Sequence, residues 1–154
     1  MKASHDKSIS ILNDLIDTCK DGQHGFGTAA KDGKDAELGR VFSQYAEQRS
    51  NYIRELQNRV RALGGDPDTH GTVSGTLHRG WINVKSAMTS DEPHAVLAEC
   101  ERGEDAAVAN YRSALKETEL DTESRALVQR HMAGVQAAHD RVKQLRDSVA
   151  YAHK

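Results

Sequence analysis

Apolar residues recur every three or four positions along most of this chain, a spacing that fits long amphipathic helices and little else. The pattern is cleanest near the C-terminus, where Val128, His131, Val135, Ala138, Val142, Leu145 and Val149 alternate steps of three and four. Such a narrow seam is what helices packed side by side require. Similar stripes run through Ile9, Leu12, Ile16, Cys19, Gln23, Phe26 and Ala30, and through Leu38, Phe42, Tyr45, Arg49, Tyr52, Leu56, Val60 and Leu63. Another follows Val96, Cys100, Gly103, Glu104, Ala107, Tyr111 and Ala114.

Turn chemistry divides the stripes. Gly33 stops the first helix and Asp35 caps the second, while Gly64-Gly65 with Pro67 ends it. Ser90 or Asp91 caps the third, with Pro93 in its first turn, and Asp121 or Thr122 opens the fourth. The spacing predicts helices over 8–31, 35–63, 92–118 and 121–150, with a short amphipathic helix near 75–88 carrying Leu77, Trp81, Val84 and Met88. The fold class is all-α: a four-helix bundle of the ferritin-like kind, two antiparallel hairpins joined by a long crossover with a short extra helix. At 154 residues it reads as a single domain, 1–154. Gly22, Gly25 and Gly27 interrupt the first stripe, and close helix approach is the preferred explanation.

Composition narrows the class of function. Twenty-one basic and 23 acidic residues are interspersed, for a formal charge of -2, so no basic patch is available to track nucleic acid. No apolar run reaches the length of a membrane span, and the segment Met1 to Asp14 has no signal-peptide core. A cytoplasmic protein without nucleic-acid or membrane partners is expected. Cys19 and Cys100 are the two cysteines, far apart and on apolar stripes, and read as small buried hydrophobes kept reduced. Asp66, Asp68 and His70 read as part of a solvated loop.

The chain also resembles bacterial ferritin-like four-helix-bundle proteins of unknown function. The resemblance is carried by Leu12-Asn13-Asp14-Leu15-Ile16 with Cys19-Lys20-Asp21-Gly22, by Leu77-His78-Arg79-Gly80-Trp81, by Cys100-Glu101-Arg102-Gly103-Glu104-Asp105 with Tyr111-Arg112, and by Ala138-His139-Asp140-Arg141-Val142. It implies the fold and brings no activity with it.

Ferritin-like metal centres need a glutamate from each of two helices and a Glu-x-x-His pair from each of the other two. At about 100° per residue, Gln23, Arg49, Glu104, His131 and His139 lie on or beside the core stripes, whereas Glu47, Glu99 and Glu101 lie away from them. Only one of the inward residues is a carboxylate, and Arg49 brings a cation. Glu104 and His139 are the candidate metal ligands, with Gln136 and Gln23 as neutral, weaker ones. Counted from the turn near Leu120, Glu104 lies level with Gln136 and about one turn from His139. The preferred reading is an inward polar network of Arg49, Tyr52, Glu104, Tyr111, His131 and His139, in which Arg49 satisfies Glu104.

There is no phosphate-cradling glycine loop, no GxSxG and no nucleophile with an evident base, so no catalytic or cofactor-binding residue is assigned. The expectation is a non-catalytic structural or protein-interaction role without a cofactor, pairing as a homodimer. No protein partner is identified. The alternative is a degenerate or atypical ferritin-like metalloprotein handling iron or manganese.

Overall fold

The structure, a computed structural model, describes residues 2–67, 81, 92–148 and 150–151. Four helices account for most of them: α1 (Lys2–Asp32), α2 (Ala36–Ala62), α3 (Pro93–Lys116) and α4 (Thr122–Asp147). No strand occurs among the described residues. None of the described helices is long and apolar enough to cross a membrane. The short helix expected near 75–88 and the cap candidates Ser90 and Asp91 lie outside the described residues, except for Trp81.

The helix boundaries follow from local chemistry. Asp35 caps α2 by accepting a hydrogen bond from the Leu38 backbone N–H at 3.0 Å. At its other end Gly64 adopts φ 87°, which only glycine takes readily. This lets the Gly65 N–H donate to the Val60 carbonyl and the Gly64 N–H to the Arg61 carbonyl, both at 2.9 Å, so the last carbonyls of α2 are satisfied. Helix α3 begins at Pro93, whose missing N–H costs nothing in the first turn, with Glu92 at its cap position. Asp121 caps α4 through the Ser124 N–H at 3.2 Å and also holds Arg59 of α2 at 2.9 Å.

α1 starts earlier than its apolar stripe suggests. Ser8 is fully buried; its hydroxyl donates to the Glu119 carbonyl and accepts from the Asp121 N–H. The second turn of α1 is thus tied to the α3–α4 turn. α1 also runs without interruption through Gly22, Gly25 and Gly27.

α1 packs on α2, and α3 on α4, each pair forming an antiparallel hairpin. α1 also lies antiparallel to α3, since Ser8 meets the turn at Glu119 while Thr18 and Cys19 meet Asn110 and Tyr111. α2 and α3, both antiparallel to α1, therefore run the same way. Two apolar clusters fill the interior. One holds Leu12, Leu15, Ile16, Leu56, Val60, Val128 and Val135. The other holds Phe26, Phe42, Leu97, Cys100 and Val142. Each fully buried aliphatic or aromatic side chain contributes about 1.5–3 kcal/mol. Cys19 and Cys100 are free thiols, one in each cluster.

Candidate functional site

The largest fully buried side chain is Arg49 of α2. Its position on the apolar stripe carries it into the interior, where Glu104 of α3, 0% exposed, meets it. Arg49 Nη1 donates to Glu104 Oε1 at 2.7 Å and Nη2 to Oε2 at 2.5 Å. This bidentate fork is the geometry in which guanidinium and carboxylate bind best. Arg49 Nε donates to Gln48 Oε1 at 3.2 Å, and the guanidinium lies 5.5 Å from the Phe26 ring centroid. A side chain on Gly22 would come within 2.9 Å of Arg49 Nη1, so that glycine makes room for the arginine. Burial alone would pull the guanidinium toward its neutral form, but the Glu104 charge outweighs this and holds Arg49 above its ordinary range.

A second chain of polar groups runs from this centre to the surface. Cys19 Sγ lies 3.1 Å from Tyr111 Oη, Tyr111 Oη lies 3.3 Å from His131 Nδ1, and His131 Nε2 lies 2.8 Å from Glu55 Oε1. An ionised carboxylate only accepts, so His131 donates through Nε2–H and accepts from the Tyr111 hydroxyl at Nδ1, leaving Tyr111 to accept from the Cys19 thiol. Every donor in the chain then has an acceptor while the three buried groups stay neutral. Burial pushes the Cys19 thiol up to about 11 and holds Tyr111 well above its usual value. Burial also lowers His131 to about 4, even against the pull of Glu55. Tyr52 stacks on the His131 ring at 3.8 Å. A side chain on Gly134 would approach the Tyr52 hydroxyl to 1.9 Å. These groups insulate a cysteine and a histidine rather than expose a nucleophile.

His131 and Asp14 give this interior an opposed response to pH. Asp14 is buried, with Oδ1 lacking a hydrogen-bond partner among the described residues, and burial together with nearby Asp17 raises it to about 6. As pH falls from about 6.5 to about 4 the unfolded chain protonates His131 before the folded one does, and stability drops. Over roughly the same window the folded chain protonates Asp14 before the unfolded one does, and stability rises. Asp14→Asn removes the second effect. Urea unfolding midpoints of that variant are expected to fall more steeply than those of the wild type between pH 6.5 and 4. Parallel curves would show that Asp14 does not contribute in this way.

The four candidate metal ligands do not come together. Glu104 is committed to Arg49. Gln23, expected on the core stripe, is exposed and donates to Ser50 Oγ at 2.5 Å, because α1 buries Gly22 and Phe26 instead. Gln136 donates to Asp140 at 3.0 Å at the surface. His139, placed inward by the helical wheel, sits at the outer edge of the α3–α4 contact with its Nε2 2.6 Å from Asp105 Oδ1. It therefore does not join Arg49, Glu104, Tyr111 and His131. Tyr52 meets this group by stacking on His131. Sequence reasoning missed Cys19 and Glu55 as links in the polar chain. It also set aside Glu101, which with Asp105 and His139 forms the one group of three ligand-type residues close enough to share an ion among the described residues. Counting residues outward from the α3–α4 turn could have paired them.

The sequence profile of the family described as a domain of unknown function (DUF2383) matches residues 7–117. The match spans nearly all of α1, then α2, the connecting segment and α3. No curated protein matches the chain. Because the profile covers well over half of the sequence, this four-helix chain belongs to the DUF2383 family.

Proposed function

We propose that this protein is a ferritin-like bundle whose interior does no metal chemistry and which acts through contacts with proteins, its own copies included. The observation that carries this reading is the bidentate, fully buried Arg49–Glu104 pair. An interior metal centre needs several carboxylate and imidazole ligands around a cation. The structure buries Asp14 and Glu99 as well as the expected Glu104, but Glu104 is neutralised by a guanidinium that would repel a metal ion, and Glu99 pairs with Arg102. His131, the buried imidazole, has both ring nitrogens engaged, by Tyr111 and Glu55. The direction of the helices supports the ferritin-like relationship, since two antiparallel hairpins with parallel second and third helices require a long crossover between them. A cytoplasmic setting and side-by-side pairing into a homodimer belong to the same proposal.

Glu104→Gln separates the two readings. It keeps an acceptor for Arg49 but removes the charge, so stability should fall by about 1–3 kcal/mol in the presence or absence of metal. Iron or manganese titration, with elemental analysis of protein purified without chelator, should show no interior ion in either form. Stoichiometric iron or manganese bound by the wild type and lost in Glu104→Gln would establish the metalloprotein alternative. Light scattering at micromolar concentration tests the pairing, and a monomer mass would refute the homodimer.

A further inference from the structure

Glu101 and Asp105 are four residues apart on α3, one helical turn, so their carboxylates stand on the same side of the helix. α4 runs antiparallel beside them and brings His139 opposite. One ligand atom from each of the three residues lies within 4.8 Å of the other two. His139 is held in a definite orientation: its Nε2 faces Asp105 Oδ1 at 2.6 Å and its Nδ1 faces Asp140 Oδ1 at 3.1 Å. Asp140 is in turn fixed by Gln136 at 3.0 Å. An outer carboxylate on one ring nitrogen, with the other nitrogen aimed at a cluster of oxygen ligands, is the arrangement that orients histidines on metals.

We propose that Glu101, Asp105 and His139 bind a divalent transition-metal ion, of which zinc fits best, at the outer edge of the α3–α4 hairpin. One imidazole and two carboxylates suit zinc and its neighbours. Calcium and magnesium favour sites made of more oxygen ligands. The ion takes the place of the proton that now bridges His139 Nε2 and Asp105. Zinc bonds of ~2.0–2.2 Å bring tetrahedral ligands to ~3.3 Å apart. Asp105, 62% exposed, is free to swing that far, while Glu101 and His139, each 15% exposed, provide the fixed side. The open side leaves the fourth position to water. Arg146 is the built-in competitor, since it pairs with Glu101 as well as with Asp147. The ion must share or displace that contact, so Arg146 sets the affinity.

The site is separate from the interior pair and survives or fails independently of it. Zinc titration of the full chain by calorimetry, with magnesium in parallel, is expected to show one zinc per chain and much weaker magnesium binding. His139→Ala and Asp105→Asn should each weaken zinc binding about tenfold or more, Asp140→Asn about 10–100-fold through loss of orientation, and Arg146→Gln should tighten it. Asp105 is exposed, so its variant keeps the fold and serves as the test if His139→Ala does not. Glu104→Gln should leave zinc binding unchanged. Absence of saturable zinc binding, or binding that persists in both His139→Ala and Asp105→Asn, overturns the proposal. Magnesium binding as tightly as zinc would do the same.

Discussion

Replacing Arg49 with methionine is expected to destabilise the protein by about 3–5 kcal/mol, because the substitution removes the guanidinium that binds the fully buried Glu104 through two hydrogen bonds and leaves a buried charge uncompensated by it. Against a typical total of roughly 5–15 kcal/mol this is a large share of the stability of a domain. Methionine fills most of the arginine's volume, so the loss reflects the stranded charge more than a cavity. The companion Arg49→Met/Glu104→Leu removes both charges and should recover most of the loss, since a buried ion pair often gains little over well-packed apolar groups. Urea unfolding of the two single variants and the double variant completes the cycle. Single variants costing under about 1 kcal/mol, or a double variant as unstable as the sum of the singles, would show that the pair is not the coupled unit its geometry describes.

That pair was legible in the sequence because Arg49 and Glu104 both occupy positions where the three-four spacing demands an apolar residue. The caps Asp35 and Asp121 and the Gly64-Gly65 stop were legible for a similar reason: each acts on backbone groups within a few residues. What the sequence did not disclose depends on long-range contacts. The first turns of α1 look polar and unstructured until Ser8 finds its partners in the α3–α4 turn, more than a hundred residues away. Gln23 lies on a stripe by spacing, but small shifts in helix rotation bury Gly22 and leave Gln23 outside. His139 fails for the same reason: a helical wheel gives an angle relative to one helix, whereas the edge it occupies is defined by α3 beside it. Glu55, half exposed on α2, closes the chain from Cys19 because α4 sets His131 against it.

Two glycines of α1 and one of α3 yield the last expected result, in which Gly27 parts from Gly25 and Gly103. A Cβ on Gly25 would lie 2.2 Å from Cδ2 and Cε3 of the Trp81 ring, and one on Gly103 of α3 would lie 2.2 Å from Cε2 of the same indole. The tryptophan is therefore held between two helices at positions with no side chain, with its ring 4.9 Å from that of Phe26. A Cβ on Gly27 would meet nothing within 4 Å among the described residues. Gly27→Ala should accordingly stabilise the protein by up to ~1 kcal/mol, the gain of replacing glycine inside a helix. Gly25→Ala and Gly103→Ala receive the same gain but must displace the indole, so each should destabilise by about 2–4 kcal/mol net. Because both clash with one side chain, evicting Trp81 once relieves both, and the double variant should cost clearly less than the sum of its parts. Trp81 is the chain's single tryptophan, so its emission should shift to the red in the Gly25 and Gly103 variants and stay put in Gly27→Ala. If Gly25→Ala stabilises as Gly27→Ala does, with no change in emission, the indole is not wedged between α1 and α3.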